Sequence, residues 1–327
     1  MLSVIFRCDA GHIKRIGTGH LFRSITIANL LIKKFNIPRK KIIFITKTKN
    51  KFSLAKNILN QNNFTILPIK ENAKNSDEYS ILKKLKSTLL IIDKYRTKNT
   101  KYLDKIKKNF KKIILLDAIK CENNYALYIN SLIHEVDKSI KHKGFNYLIC
   151  PSFLLKKNKP VINKEIKKIF LFFGGFDNKN IMQKIIKYFV INKTKYILYI
   201  PLSLKKKYSN NKKIRYYDNK NIYNFLSSSD LAITSGGLIM FDVINIKKPL
   251  ITIPQYLHQK KNIKKLVKKN CLKNINLNKY LYENLSKYLL LINNFYQRNR
   301  MIKNQNKILS GNKTPKAIEL IYNEYKK

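Results

Sequence analysis

The chain has 327 residues, enough for two domains of ordinary size, and its hydrophobic content of 44% can supply a core for each. A formal charge of +50, from 68 Lys and Arg against 18 acids, would attract polyanions, but the basic residues are spread along the whole chain without a nucleic-acid-binding motif. The 4 cysteines form no C-x-x-C pair, which argues against a zinc site or a disulfide framework and favours reduced thiols in the cytoplasm.

The first half of the chain alternates apolar, strand-like runs with amphipathic, helix-like segments. The predicted strands are residues 2–6, 42–46, 64–68, 89–93 and 113–117, with short ones at 128–130 and 147–150. The predicted helices are 51–62, 77–86 and 97–109, together with one that follows the first strand. This alternation predicts a doubly wound parallel sheet.

The second half restarts the same alternation after the polar stretch 156–160. Its predicted strands are 169–173, 196–200, 214–217, 230–233 and 249–254, and its predicted helices are 180–190, 222–227, 238–244, 258–268 and the tail from 281. We therefore predict an α/β protein of two Rossmann-like domains, residues 1–157 and residues 158–327. The cleft between two such domains is the expected ligand site.

The turn after the first strand carries the first candidate residues. Gly17 and Gly19 allow a ligand to approach the backbone closely, and the helix that follows offers free N–H groups to an anion. His20 is the residue of this turn that can move a proton near neutral pH. On these residues alone, a catalytic histidine and an ordinary tight turn with an incidental histidine stay equally open, and the rest of the chain favours the first.

Two further glycine-containing turns lie in the second domain. Ser235, Gly236 and Gly237 separate a strand from a helix, where backbone N–H groups and hydroxyls suit a phosphate. Asp242, about one and a half helical turns later, is placed to accept ribose hydroxyls of a nucleotide. The second turn repeats this pattern after another strand, with the sequence Gly174-Gly175-Phe176-Asp177.

Taken in chain order, these motifs resemble the PseG family, UDP-sugar hydrolases of pseudaminic acid biosynthesis that are related in fold to MurG-type glycosyltransferases. The matching pieces are Arg7-Cys8-Asp9, Ile16-Gly17-Thr18-Gly19-His20 with Arg23, Ile92-Asp93-Lys94-Tyr95, Gly144-Phe145-Asn146-Tyr147 with Pro151-Ser152-Phe153, Gly174-Gly175-Phe176-Asp177, Ile233-Thr234-Ser235-Gly236-Gly237 with Asp242, and His258-Gln259. The resemblance implies a two-domain, glycosyltransferase-B-like fold with an interdomain cleft. It also implies release of UDP from a UDP-linked diacetamido-trideoxy sugar, by water attack at the anomeric carbon and with neither metal nor other cofactor.

The resemblance also assigns roles to residues. The family's catalytic histidine corresponds to His20, and a tyrosine that follows its Ile-Asp strand end corresponds to Tyr95. The candidate substrate- and nucleotide-binding residues are Arg7, Asp9, Gly17, Gly19, Gly174, Gly175, Asp177, Ser235, Gly236, Gly237, Asp242, His258 and Gln259.

The chain departs from the family pattern in several places, which leaves the identity of the sugar open. The loop from Asp9 to Ile16 is about two residues longer than the family's and carries His12. The other departures are Lys94 where a histidine can occur, Asp242 for a glutamate, and His258 for an asparagine.

Two other functions remain open from the sequence. The first is a glycosyltransferase of the same fold, with an acceptor hydroxyl in place of water. The second is a basic protein that binds nucleic acid or an anionic membrane surface. The expected partner is a small UDP-amino sugar, with no specific nucleic acid, and the first residues show no signal-peptide pattern. No apolar run reaches the roughly 18 residues that span a bilayer. We therefore expect a cytoplasmic protein, whose oligomeric state the sequence leaves open.

Overall fold

A computed structural model describes residues 3–11, 16–72, 75–94, 101–118, 120–121, 123–131, 137–155, 162–175, 177–309 and 315–327. The chain folds into two compact units, Met1–Leu154 with Asn312–Lys327, and Leu155–Gly311. In the described ranges, no helix is both long enough and apolar enough to cross a membrane.

The first unit is built on a seven-stranded sheet. Its strands are β1 (Val4–Cys8), β2 (Ile42–Lys47), β3 (Thr65–Ile69), β4 (Ser87–Asp93), β5 (Phe110–Leu116), β6 (Leu127–Asn130) and β7 (His142–Lys143). They pair in parallel in the order β3-β2-β1-β4-β5-β6-β7, so the strand order reverses between β1 and β4. The continuous apolar run of β4 follows from burial on both faces. Leu89 and Ile91 pack on one face, and Leu90 and Ile92 on the other.

Helices cover both faces of this sheet. They are α1 (Gly19–Phe35), α2 (Ser53–Gln61), α3 (Asn75–Leu82) and α4 (Lys101–Asp104), with short 3-10 turns at Arg39–Lys41, Asn50–Phe52, Lys107–Asn109, Phe145–Tyr147 and Pro151–Leu154. The apolar side chains of α1 and α2 join one core cluster, and those of α3 and α4 join the other. The α1 helix therefore starts directly above the carboxyl end of β1.

The second unit is built on a six-stranded sheet. Its strands are β8 (Lys168–Phe172), β9 (Ile197–Pro201), β10 (Ile214–Tyr217), β11 (Leu231–Thr234), β12 (Leu250–Thr252) and β13 (Lys273–Asn274). The helices are α5 (Ile181–Ile191), α6 (Lys205–Tyr208), α7 (Ile222–Ser228), α8 (Leu238–Ile246), α9 (Leu257–Lys268), α10 (Leu281–Asn293) and α11 (Phe295–Leu309), with a 3-10 turn at Leu202–Leu204. All pairings are parallel, in the order β10-β9-β8-β11-β12-β13.

Each unit therefore has the 3-2-1-4-5-6 strand order of a Rossmann-like sheet, with one more strand in the first. The reversal lies between β1 and β4 in the first unit and between β8 and β11 in the second. Ligands of open parallel sheets bind outside the carboxyl ends of the strands at such reversals. The predicted fold class, two Rossmann-like α/β domains, is confirmed.

The last helix corrects the predicted domain assignment. Residues 158–327 were expected in the second domain, whereas Asn312–Lys327 belongs to the first unit. Helix α12 (Lys316–Lys326) buries Ile318 and Ile321 in the core of that unit, and the Tyr322 ring stacks on Phe35 of α1 with centroids 3.6 Å apart. Helical periodicity identified the apolar face of α12, but it carries no information about which sheet that face covers. The predicted boundary near residue 157 falls in 156–161, outside the described residues.

Two smaller expectations also need correction. Residues 147–150 were expected as a strand, but Phe145–Tyr147 forms a 3-10 turn and extended, unpaired backbone follows. The two-residue strands β7 and β13 were not predicted, because two residues give no hydrophobic pattern. Both lie at an edge of their sheets.

Candidate functional site

The loop from β1 to α1 has the strand–turn–helix geometry that the sequence predicted. Gly17 adopts a left-handed conformation with φ of 56°, and its carbonyl accepts a hydrogen bond of 3.0 Å from the Gly11 N–H. Thr18 precedes the first helical residue, Gly19, and no described side chain caps this end of α1. His20 is the second residue of the helix and lies in its first turn, where the N–H groups have no partner within the helix.

His20 forms a close pair with the acid at the end of the neighbouring strand. Its Nδ1 lies 2.6 Å from Asp93 Oδ1. Asp93 is fully buried, whereas the His20 side chain is 19% exposed. The register aligns Cys8 of β1 with Asp93 of β4, which places the pair at the reversal of strand order. With Nδ1 engaged by the carboxylate, Nε2 is the nitrogen left to exchange a proton with a substrate or a water molecule.

Arg23, one turn further along α1, holds the same carboxylate. Its Nε lies 2.7 Å from Asp93 Oδ2 and its Nη2 lies 2.5 Å from Oδ1. Its Nη1 donates to Asp117 at the end of β5 and lies 3.4 Å from Ser131 Oγ. Burial alone would raise the pKa of Asp93, but the charges and hydrogen bonds of Arg23 and His20 outweigh it and bring this pKa to about 2. Asp93 is therefore an anion at every physiological pH.

A second ionic cluster lies beside the first and involves the predicted residues Arg7 and Asp9. Arg7 donates to both oxygens of Asp9, at 2.7 and 2.9 Å, and to Glu78 at 2.6 Å. Lys94 also donates to Glu78, at 2.7 Å. Burial and the nearby Arg7 charge lower the pKa of Lys94, whereas the two cations lower the pKa of Glu78 despite its burial.

This burial corrects the sequence-based role of Arg7. Its side chain is 1% exposed and its terminal nitrogens are paired, so it has no face open to a substrate. Asp9 is 15% exposed, and its carboxylate also accepts the Lys47 N–H at 3.1 Å. Both residues therefore shape the rim of the sheet rather than present free groups. Tyr95, the second predicted catalytic residue, and His12 lie outside the described residues.

In the second unit, the turn from β11 to α8 is closely packed. Gly236 is required by its surroundings, because a Cβ there would lie 2.6 Å from Ile263 Cδ1 and 2.9 Å from Gln259 Cβ. Gly237 precedes α8 and has no capping side chain among the described residues. The turn therefore lies directly against α9, and the first N–H groups of α8 have no partner within the helix. The Ser235 N–H donates to Phe172 O at 3.1 Å, which fixes the turn to β8.

Asp242 does not present its carboxylate to solvent. The residue is 1% exposed, and one of its oxygens accepts a hydrogen bond of 3.2 Å from the Tyr223 hydroxyl. The predicted ribose contact therefore requires the packing around this carboxylate to open. Asp242 is buried because α8 consists mainly of apolar residues and packs against the protein around most of its circumference.

Gln259 has a structural task at the start of α9. Its Oε1 accepts the backbone N–H of Gln255 at 2.8 Å and that of Tyr256 at 3.4 Å, which caps the helix. Gln255 in turn donates from Nε2 to Phe173 O at 2.6 Å, which joins this loop to the one after β8. His258 is exposed, and its ring lies parallel to that of Tyr256 with centroids 5.6 Å apart. A contact of His258 with a sugar or a diphosphate stays a prediction.

The turn after β8 is the partner of the β11 turn across the reversal of strand order. Gly174 is exposed and adopts φ of 90°, a conformation that favours glycine, and Gly175 follows it half-buried. Asp177 Oδ2 accepts the Met182 N–H at 2.7 Å and so caps α5. Its Oδ1 is buried without a hydrogen-bond partner within the described chain. The atom is enclosed by the protein, so a donor on a ligand reaches it only if the turn after β8 moves.

The structure adds residues that the sequence analysis had not assigned to the site. Asp93, Asp117 and Glu78 complete the two ionic clusters, and Gln255 joins the two loops of the second unit. An acid directly after a buried strand already predicts from the sequence that Asp93 and Asp117 lie on the same rim as His20, but only the strand order shows that Asp93 lies beside His20. In the ranges that the structure describes, no group of three His, Cys, Asp or Glu residues is placed to hold a metal ion.

Solved structures show how widely this fold is shared. MurG of Acinetobacter baumannii matches 98% of this chain and 99% of its own with a TM-score of 0.57 and 12% identity. The S. aureus MnaA–UDP co-structure matches 100% of this chain and 96% of its own with a TM-score of 0.63 and 14% identity. At these identities the likeness establishes the fold alone, which confirms the predicted two-domain, MurG-like, glycosyltransferase-B-like fold.

Sequence comparisons identify a relative of this chain and its family. An uncharacterised protein of Methanocaldococcus jannaschii is 28% identical over 268 residues, which cover 73% of this chain and 53% of that protein. The chain therefore spans about half the length of this curated relative. The family model described as "Glycosyltransferase family 28 C-terminal domain" matches residues 156–321, about half of the chain and nearly all of the second unit. The chain belongs to this glycosyltransferase family 28 group.

Proposed function

We propose that the protein is a nucleotide-sugar hydrolase that releases UDP from a UDP-linked diacetamido-trideoxy sugar, in the biosynthesis of a pseudaminic-type nonulosonic acid. The observation that carries the proposal is the His20–Asp93 pair at the start of α1, with a contact of 2.6 Å. Family 28 membership and the UDP named for MnaA support a nucleotide sugar. The order of the motifs that resemble PseG supports water as the acceptor and this class of sugar.

The chemistry assigned to the residues is a substitution at the anomeric carbon. The oxygen of water forms a bond to that carbon, and the bond from the carbon to the diphosphate oxygen breaks, with its electron pair leaving on UDP. His20 Nε2 takes the proton of the attacking water, and ionised Asp93 stabilises the imidazolium that results.

The second unit has the matching task of holding the leaving group. The open N–H groups at Gly237 and the first turn of α8 stabilise the charge that develops on the diphosphate. Asp177 and Asp242 are the candidates to accept hydrogen bonds from the hydroxyl groups of the nucleoside. The donors in this scheme belong to the protein, and no metal or cofactor enters it.

The direct test is to incubate the protein with a panel of UDP- and CMP-linked amino sugars, without any acceptor, and to assay free nucleotide. UDP release with formation of the free sugar supports hydrolysis. The family description favours a second candidate, a glycosyltransferase, in which a hydroxyl replaces water. UDP release only after an acceptor is added would establish that alternative. Salt-dependent binding of polyanions without affinity for UDP would contradict both.

A further inference from the structure

We infer that Arg23 is a positioning residue that fixes the tautomer of His20, with the proton on Nδ1 and the lone pair on Nε2. The catalytic meaning of this inference rests on the proposed function, which assigns proton transfer to His20. The contacts that carry it lie within the first unit and are independent of the identity of the substrate.

The Asp93 carboxylate lies between the two residues. Asp93 Oδ1 lies 2.6 Å from His20 Nδ1 and 2.5 Å from Arg23 Nη2, while Oδ2 lies 2.7 Å from Arg23 Nε. An ionised carboxylate only accepts hydrogen bonds, so His20 must donate at Nδ1. Because two parallel N–H groups of the guanidinium hold both oxygens, the carboxylate plane cannot turn away from the imidazole.

The other edge of the guanidinium is also held. Arg23 Nη1 donates to Asp117, whose Oδ1 accepts the backbone N–H of Ser131 at 2.8 Å and the Ser131 hydroxyl at 2.9 Å. Asp117 itself adopts φ of 52°, an uncommon conformation for an aspartate that turns the chain at the end of β5. The orientation of Arg23 is thus set from the ends of β5 and β6, away from His20.

Competing charges are paired elsewhere. The nearby cations Arg7 and Lys94 both donate to Glu78, and Arg7 also donates to Asp9, so these ion pairs involve other acids than Asp93. The contacts to Asp93 come from His20 and Arg23. A lysine could not replace the arginine fully, because an ammonium lacks the planar fork that binds both carboxylate oxygens.

The test reads the tautomer directly by 15N–1H correlation spectra of the histidine rings, in the full chain at a pH where His20 is neutral. The chain has 5 histidines, and His20→Gln assigns the signals of this one. In the wild type we expect the 15N chemical shift of a protonated, pyrrole-like nitrogen for Nδ1 and that of an unprotonated, pyridine-like nitrogen for Nε2. In Arg23→Gln and Arg23→Lys we expect both nitrogens to move towards intermediate shifts, as in a mixture of tautomers.

Arg298→Gln is the matched control. Arg298 is buried like Arg23, but it lies in the second unit and donates to backbone carbonyls, including Ile292 O and Asn163 O at 2.7 Å. Its loss lowers thermal stability while the His20 signals stay as in the wild type. A wild type with the proton on Nε2, or a folded Arg23→Lys that keeps the wild-type signals, would overturn the inference. If Arg23→Gln unfolds, the lysine variant and the wild-type spectrum still decide it.

A second readout separates this inference from the proposed function. On the substrate that the panel identifies, kcat of Arg23→Lys should fall on the order of 10-fold, a part of the ~10²–10⁴-fold that a general base contributes. KM should change little. A wild type that hydrolyses none of the sugars refutes the proposed function, while the tautomer measurement still decides the role of Arg23.

Discussion

The two units use one strand order for different chemistry. At the reversal in the first unit, His20, Arg23 and Asp93 form a buried ionic network. At the reversal in the second unit, glycines and amide side chains meet instead, as in the Gly236 contact with α9 and the Gln255 bond to the β8 loop. The same strand order therefore carries charged side chains at one reversal and glycines with amides at the other, which is the basis of the different roles that we propose for the two units.

The largest expected effect is on the stability of the first unit. In Asp93→Asn, Arg23 keeps a buried positive charge but loses the carboxylate that it binds through two nitrogens. We expect the free energy of unfolding to fall by about 3–5 kcal/mol, as when one partner of a buried ion pair is removed. Urea unfolding at neutral pH measures this. Glu319→Gln, at an exposed position of α12, should change it by less than about 1 kcal/mol.

The Arg23–Asp93 ion pair also predicts that the free energy of unfolding depends on pH. The pKa of Asp93 is lowered from 3.8 to about 2 in the folded protein, so its ionised form stabilises the fold above pH 3.8. This contribution, about 2 kcal/mol, is lost as the pH falls through that interval. The free energy of unfolding of the wild type should therefore approach that of Asp93→Asn as the pH is lowered from 3.8 to about 2. A constant difference would show that Asp93 titrates normally in the fold.

The second prediction addresses proton transfer. His20→Gln should lower turnover by at least about 100-fold, the low end of what a general base contributes. UDP affinity should change by less than about twofold, because the nucleotide is assigned to the second unit. His142→Gln is the control, since His142 lies in the first unit but contacts Tyr147. Turnover close to that of the wild type would remove His20 from the mechanism.

Local features of both units could be predicted from the sequence, whereas the burial of particular side chains could not. The alternation of apolar runs identified most strands and helices, and the positions of Gly17 and His20 identified the first turn. The burial of Arg7 and Asp242 could not be read locally, because it depends on Glu78 and Tyr223, which lie far away along the chain. Spacing places a residue on an element, whereas exposure depends on the elements that pack around it.

The third prediction compares adjacent glycines. The Cβ of Gly236→Ala would lie 2.6 Å from the Ile263 side chain and 2.9 Å from Gln259 Cβ, so α9 must shift. We expect a loss of about 1–3 kcal/mol in stability of the second unit, with weaker UDP binding. In Gly237→Ala the nearest atoms are 3.7 and 3.8 Å away, so its thermal stability should stay near that of the wild type. Equal melting temperatures for the two variants would contradict the close packing.

The fourth prediction tests the ribose contact. Asp242→Asn should weaken UDP binding by about 1–3 kcal/mol if the carboxylate turns towards the nucleotide, as expected for the loss of a charge-assisted hydrogen bond. Tyr223→Phe should keep or strengthen UDP binding, because it removes the hydroxyl that binds Asp242 at 3.2 Å. Calorimetry measures both. Unchanged affinity in Asp242→Asn would assign the ribose to Asp177, whose Oδ1 has no partner among the described residues.

The smallest expected effect is on substrate binding by His258. This residue lies near the start of α9, is exposed, and stacks on the Tyr256 ring. A histidine carries charge below neutral pH, and a diphosphate nearby favours that form. If His258 contacts the diphosphate, substrate binding weakens as the pH rises and the imidazole loses its proton. His258→Asn keeps a hydrogen-bonding side chain but cannot ionise, so it should remain active with a flatter KM profile. Superimposable profiles of KM against pH for the two proteins would show that His258 is a solvent-facing residue without a part in binding.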